Sequence, residues 1–116
     1  MRKGKTKDAT SPFVVWKKGV KIEGEVTRIF VTDNGPCCEV SLQKPITING
    51  ASEKKVSFNA TKAGIRMAAQ AAGLEPDESG NPFQVGDKLI LTAVGTTPTT
   101  KGNPRQDFEL AIDADR

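Results

Sequence analysis

At 116 residues, with hydrophobic side chains at 36%, the chain is the size of one domain with a modest core and has no room for a second catalytic unit. It has no histidine and only two cysteines, adjacent in sequence, which removes the commonest general base, any histidine-based triad and a cysteine zinc site. Residues 1–58 carry eleven basic and six acidic side chains, whereas residues 59–116 carry six and eight, so positive charge gathers in the N-terminal half.

Residues 1–11 are rich in Lys, Gly, Thr and Ser without apolar periodicity, which predicts a flexible basic arm ahead of a single domain over residues 12–116. No hydrophobic stretch follows, so no secretory signal is expected, and the apolar runs are too short for a transmembrane helix. Phe13-Val14-Val15-Trp16 is a short apolar segment, either an edge strand or a lid over the core. Residues 19–32 predict a long strand, with Val20, Ile22, Gly24 and Val26 on one face. The next aliphatic residues, Ile29 and Val31, are out of phase with these. A β-bulge produces such a slip, and Gly24 supports a sharp bend nearby. Asp33-Asn34-Gly35-Pro36 signals a turn into a second strand, residues 37–43, with Cys38, Val40 and Leu42 on one side and Cys37, Glu39 and Ser41 on the other.

Residues 44–55 contain Pro45 and Asn49-Gly50 and predict a loop or a small extra hairpin. A third strand over residues 55–59 turns Val56 and Phe58 inward. Asn59 or Thr61 is positioned to cap a helix running to about Ala72, with Ile65, Ala68, Ala69 and Ala72 in one stripe and Gly73 as its stop. Residues 75–82 form a polar loop. Val85-Gly86-Asp87 leads into a fourth strand, residues 88–94. A second polar loop, residues 96–105, precedes a last strand, residues 106–113, with Phe108, Leu110 and Ile112 on one face. Val, Ile and Thr together number 27 against one helical stretch, so a mainly β fold is expected.

The order β-β-β-α-β-β, the glycine-bent first strand and the pattern VGDKLILTAVG…FELAID resemble the small single-stranded DNA-binding proteins of bacteria and phages. Those have the oligonucleotide/oligosaccharide-binding (OB) fold, a five-stranded Greek-key barrel. The resemblance covers roughly residues 18–113. It implies a closed or nearly closed barrel with the helix between strands three and four. It also implies non-catalytic binding of single-stranded DNA or RNA in replication or recombination, in the cytoplasm of a bacterial or phage-infected cell. Replication proteins and further copies of the chain are the protein partners it allows. No cofactor, metal or membrane is expected. The short acidic C-terminus departs from the acidic partner-recruiting tail of many such proteins. The competing expectation is a protein-interaction or assembly module, which the few aromatics and the neutral body favour.

Binding a single strand needs cations for phosphates and aromatic faces for bases. The loop 96–105 supplies Lys101 and Arg105. Phe30 faces outward beside Arg28 if the bulge turns Ile29 and Val31 inward; otherwise Phe30 is core. Trp16, followed by Lys17 and Lys18, either borders a groove or caps the barrel end. Lys54 and Lys55 extend a basic track or simply protect a strand end. The expected site therefore joins Arg28 and Phe30 to Lys101 and Arg105, with Trp16, Lys17 and Lys18 at one margin.

Overall fold

A computed structural model describes residues 11–100, 102 and 104–113. The elements in chain order are β1 (Lys21–Thr32), β2 (Gly35–Ile48), β3 (Ala51–Asn59), α1 (Ala63–Ala71), β4 (Lys88–Thr97) and β5 (Arg105–Asp113). Every ladder between them is antiparallel, and the strand order in the sheet is β3-β2-β1-β4-β5. Three hairpin-linked strands are thus followed by a fourth that returns beside the first, a Greek-key arrangement. One side of the sheet carries the core: Ile22 and Val26 join Cys38, Val40, Phe58, Leu89 and Leu91, with Ile65 and Ala69 of α1 in the same cluster. Phe58 and Phe83 meet edge to face at 5.4 Å in its centre.

Two glycines set how closely the elements approach. A Cβ on Gly24 would lie 2.0 Å from the Ser41 carbonyl oxygen, so only glycine lets β1 bend against β2 there. A Cβ on Gly64 would lie 1.9 Å from the Gln106 carbonyl oxygen, so α1 rests directly on the backbone of β5. The helix is not capped by Asn59 or Thr61, as the sequence suggests. Lys62 stands at the cap without a side-chain bond, while Asn59 Oδ1 accepts from the Thr61 amide and hydroxyl in the preceding turn. At its other end Gly73, at φ 82°, lets the Leu74 amide reach the Ala69 carbonyl and its own amide reach Gln70, a Schellman stop.

The predicted bulge is present. Val26 pairs with Val40 and Arg28 with Glu39, leaving Thr27 as the extra residue. There β1 leaves β4: the Val26 amide donates to the Asp87 carbonyl, and the Gly86 amide donates back to the Val26 carbonyl. The expectation that Ile29 and Val31 become buried is not met, since they are 36% and 67% exposed. Ile29 shares the inward face with its partner Cys38, but the β1–β4 ladder has ended at Glu25, so no β4 residue pairs beside it. Residues 44–55 are neither loop nor separate hairpin. They are the far end of the β2–β3 hairpin, closed by Asn49 and Gly50 at positive φ, as a two-residue turn requires.

The sheet is not closed into a barrel, which corrects the expected architecture. Its ends, β3 and β5, are instead linked by the chain that precedes β1. Ser57 of β3 exchanges backbone bonds with residues 12 and 14, a parallel bridge at Phe13. Trp16 then packs edge-on against Phe108 of β5 at 4.9 Å, and Gln106 Nε2 donates to the Trp16 carbonyl at 2.9 Å. Gly19 and Val20 finally bond to Ala93 of β4. Residues 11–20 thus form a strap. Of the expected flexible arm, residues 1–10 lie outside the described residues, whereas Ser11 is part of the folded strap and bonds to Glu39.

Candidate nucleic-acid interface

The bulge at Thr27 puts Arg28 and Phe30 on the outer face of β1, opposite Glu39 and Cys37 of β2. The next residues across, on β3, are Ser57 and Asn59. Beyond β3 lies the strap, whose bridge at Ser57 brings Phe13 onto this face. The Arg28 guanidinium carbon lies 4.5 Å from the Phe30 ring centroid, and the Phe13 ring meets Phe30 at 6.4 Å and 74°. Phe30 is therefore half-buried between a cation and an aromatic edge, and Phe13, 42% exposed, offers the freer ring.

A carboxylate lies under this cluster. Glu39 is only 6% exposed although it points away from the core. Its Oε2 accepts from the Ser11 hydroxyl at 2.6 Å, its Oε1 accepts from the Thr27 hydroxyl at 3.2 Å, and Arg28 Nη2 stands 3.6 Å away. Burial alone would raise its pKa. The bonds from Ser11 and Thr27, with the charges of Arg28 and Lys55, outweigh that and hold it below the ordinary glutamate value. Glu39 thus fastens the strap and neutralises part of the Arg28 charge. The same cover buries Cys37 and Ser57, and the Ser57 hydroxyl has no partner among the described residues.

Lys55 is exposed one row further along, opposite Ser41, and its charge reaches Glu39. Lys54 is exposed where the β2–β3 register breaks between Ser41 and Ile46. The remaining predicted residues gather elsewhere. On the β1–β4 ladder Lys21 pairs with Thr92 and Glu25 with Lys88. Arg28 lies beyond the Glu25 end, while Arg105, opposite Thr97, lies beyond the Lys21 end. The ladder therefore separates Arg28 and Phe30 from Arg105, and the strap runs from one group towards the other. Arg105 Nε donates to Asp107 Oδ1 at 3.0 Å, and the Thr97 hydroxyl donates to the same carboxylate. Those two partners, Thr97 first, hold the Asp107 pKa below its usual value. Lys101 lies outside the described residues. Trp16 has its ring on Phe108, and Lys17 and Lys18 are exposed in the turn before β1.

Two participants escape sequence reasoning. Phe13 reads only as part of an apolar run, and Glu39 reads as a solvated position on an alternating strand. Among the described residues no three Cys, Asp or Glu side chains gather as a metal site would require. The vicinal thiols are both buried and free. Burial pushes Cys38 up to about 12, against the opposing bond to Asn81, which keeps it protonated and unreactive. Comparison with protein-family models, with curated proteins and with solved structures finds no match.

Proposed function

We propose that this chain binds single-stranded nucleic acid, in the first instance DNA, on the outer face of β1–β3, without catalysing a reaction. The observation that carries the reading is the cluster of Phe13, Phe30 and Arg28 on one solvent-facing surface. Two rings and a guanidinium plane are the groups on which unpaired bases stack. The Greek-key order supports reading the sheet as an OB-type domain left open between β3 and β5, with the strap across the gap. Glu39 dictates the orientation of a bound strand. It takes up part of the Arg28 charge, which leaves the phosphates to the exposed Lys54 and Lys55, so bases lie over the aromatic rings and the backbone runs along the side of the two lysines.

Fluorescence anisotropy with a labelled oligo(dT), an oligo(rU) and a duplex tests the reading. Single strands bind and the duplex binds more weakly, because its bases are not free to stack. Phe13→Ala weakens oligo(dT) binding about five-fold or more while the Tm stays close to that of the parent, since stacking contributes about 1–3 kcal/mol per base. Replacing Lys54 and Lys55 together lowers the salt slope by roughly 0.7 for each phosphate that is no longer neutralised. Absence of oligonucleotide binding at low salt, or affinity untouched by both changes, overturns it.

A further inference from the structure

The start of β1 and the far end of β2 diverge. The β1–β2 ladder ends at the Gly24–Leu42 pair, β1 continues towards its start beside β4, and β2 continues into the hairpin with β3. The strap crosses the gap, leaving a groove of about 410 Å³. Val14 and Val15 of the strap, Val20, Lys21, and Ile46 and Ile48 of β2 line it. Val14 and Ile48 belong to the core, and Val20 and Ile46 pack against it, so the groove opens onto one end of the core. Val15 at its lip is 50% exposed. The walls are largely aliphatic, with Thr47 as a polar member, and contain no aromatic ring, so they offer bases no stacking surface.

The rim is basic. Lys17 and Lys18 stand in the strap turn beside the groove and Lys21 lines it; all three are exposed, and none forms an ion pair with a described residue. This differs from Arg28 and Arg105, each held by a carboxylate. A largely aliphatic trough bordered by ammonium groups that meet no described carboxylate matches an extended peptide that alternates branched apolar side chains with aspartate or glutamate. We propose that the groove between the strap and the β2–β3 hairpin is a docking site for such an acidic, apolar segment of a partner protein. The site lies outside the aromatic face and does not depend on nucleic-acid binding there. The apolar side chains fill the trough over Val14 and Ile46, and the carboxylates face Lys17, Lys18 and Lys21.

The test uses the full chain and three short labelled peptides: one alternating aspartate with leucine, one alternating aspartate with serine, and one alternating lysine with leucine. The aspartate–leucine peptide binds saturably, and the other two do not. Val15→Asp weakens it about ten-fold or more by placing a like charge at an apolar contact. Because Val15 is half exposed, Tm is unchanged. Lys17→Glu with Lys18→Glu, both at exposed positions, weakens it about five-fold and flattens its salt dependence. Equal binding of the lysine–leucine peptide, or affinity indifferent to both variants, overturns the proposal. Oligo(dT) displacing the peptide, with Val15→Asp weakening both, would assign the groove to nucleic acid. A dimer abolished by Val15→Asp would assign it to a second copy. Phe13→Ala leaves peptide binding intact, which separates failure here from failure of the nucleic-acid reading.

Discussion

The two ends of the sheet are sealed in different ways. At β5 the seal is apolar: α1 lies on the strand with Gly64 against the Gln106 backbone and Ile65 and Ala69 in the core. At β3 the seal is polar: two backbone bonds to Ser57 hold the strap, and Ser11 and Thr27 converge on the Glu39 carboxylate. A packed seal depends on shape and is indifferent to pH. A hydrogen-bonded latch depends on a charge and can be released without disturbing the core. The part of the molecule that can respond to its surroundings is therefore the strap, and the strap carries Phe13 onto one face and Val15 to the lip of the groove.

The largest effect is expected at the packed seal. Gly64→Ala would drive a methyl into the Gln106 carbonyl, which is backbone and cannot step aside. It should cost about 3 kcal/mol, seen as a lower midpoint in urea unfolding. An unchanged midpoint would mean that α1 does not rest on β5 as closely as the 1.9 Å approach requires.

The latch comes next. Glu39→Ala removes the charged acceptor shared by the Ser11 and Thr27 hydroxyls and the partner of Arg28, and should cost about 1–3 kcal/mol. Amide exchange should quicken at Val14 and Ser57, which hold the strap to β3, and not at Leu91 in the core. The pH dependence follows in sign. Because the folded-state pKa of Glu39 is lowered, its stabilisation is complete above the unfolded-state glutamate value of about 4.3 and is lost as pH falls through the lower folded value. The difference between the parent and Glu39→Gln in chemical unfolding should shrink over that acidic window and be constant above it.

A smaller effect refines the account of the strap. Ser57→Ala removes a buried hydroxyl that has no partner among the described residues, so stability should hold or rise by up to about 1 kcal/mol. A drop in stability instead would reveal a bond to that hydroxyl. The smallest change is expected at Arg105. Its pair with Asp107 is partly exposed and screened by solvent, so Arg105→Ala should leave the urea midpoint nearly unchanged. It should also leave the salt slope of oligonucleotide binding unchanged, because Asp107 already neutralises it.

Much of the strand pattern was legible because alternation has a direct physical cause. The faces of β2 and β5 follow from residues 38, 40 and 42 and residues 108, 110 and 112, and the phase slip in β1 announced the bulge at Thr27. Strand ends were less legible. β2 runs to Ile48 through Pro45 because the β2–β3 register breaks there, so the ring displaces no regular ladder bond. The site was legible only in part. Arg28 and Phe30 do stand together, but Arg105 stands beyond the other end of the β1–β4 ladder and is paired within its own hairpin.

The mainly β character, the order of the elements, the bulge in β1 and the gathering of positive charge in the N-terminal half are all written in local periodicity or composition. Contacts between distant segments set the rest: the sheet stays open, a strap links its ends, and the outer face of β2 is buried at Cys37 and Glu39. In an isolated strand those two residues alternate outward and read as solvated. Glu39 is covered because Ser11, more than twenty residues earlier in the chain, crosses the sheet to reach it, and Cys37 lies opposite Phe30, against which Phe13 packs. Alternation reports which way a side chain points, and a contact between distant segments determines what it meets there.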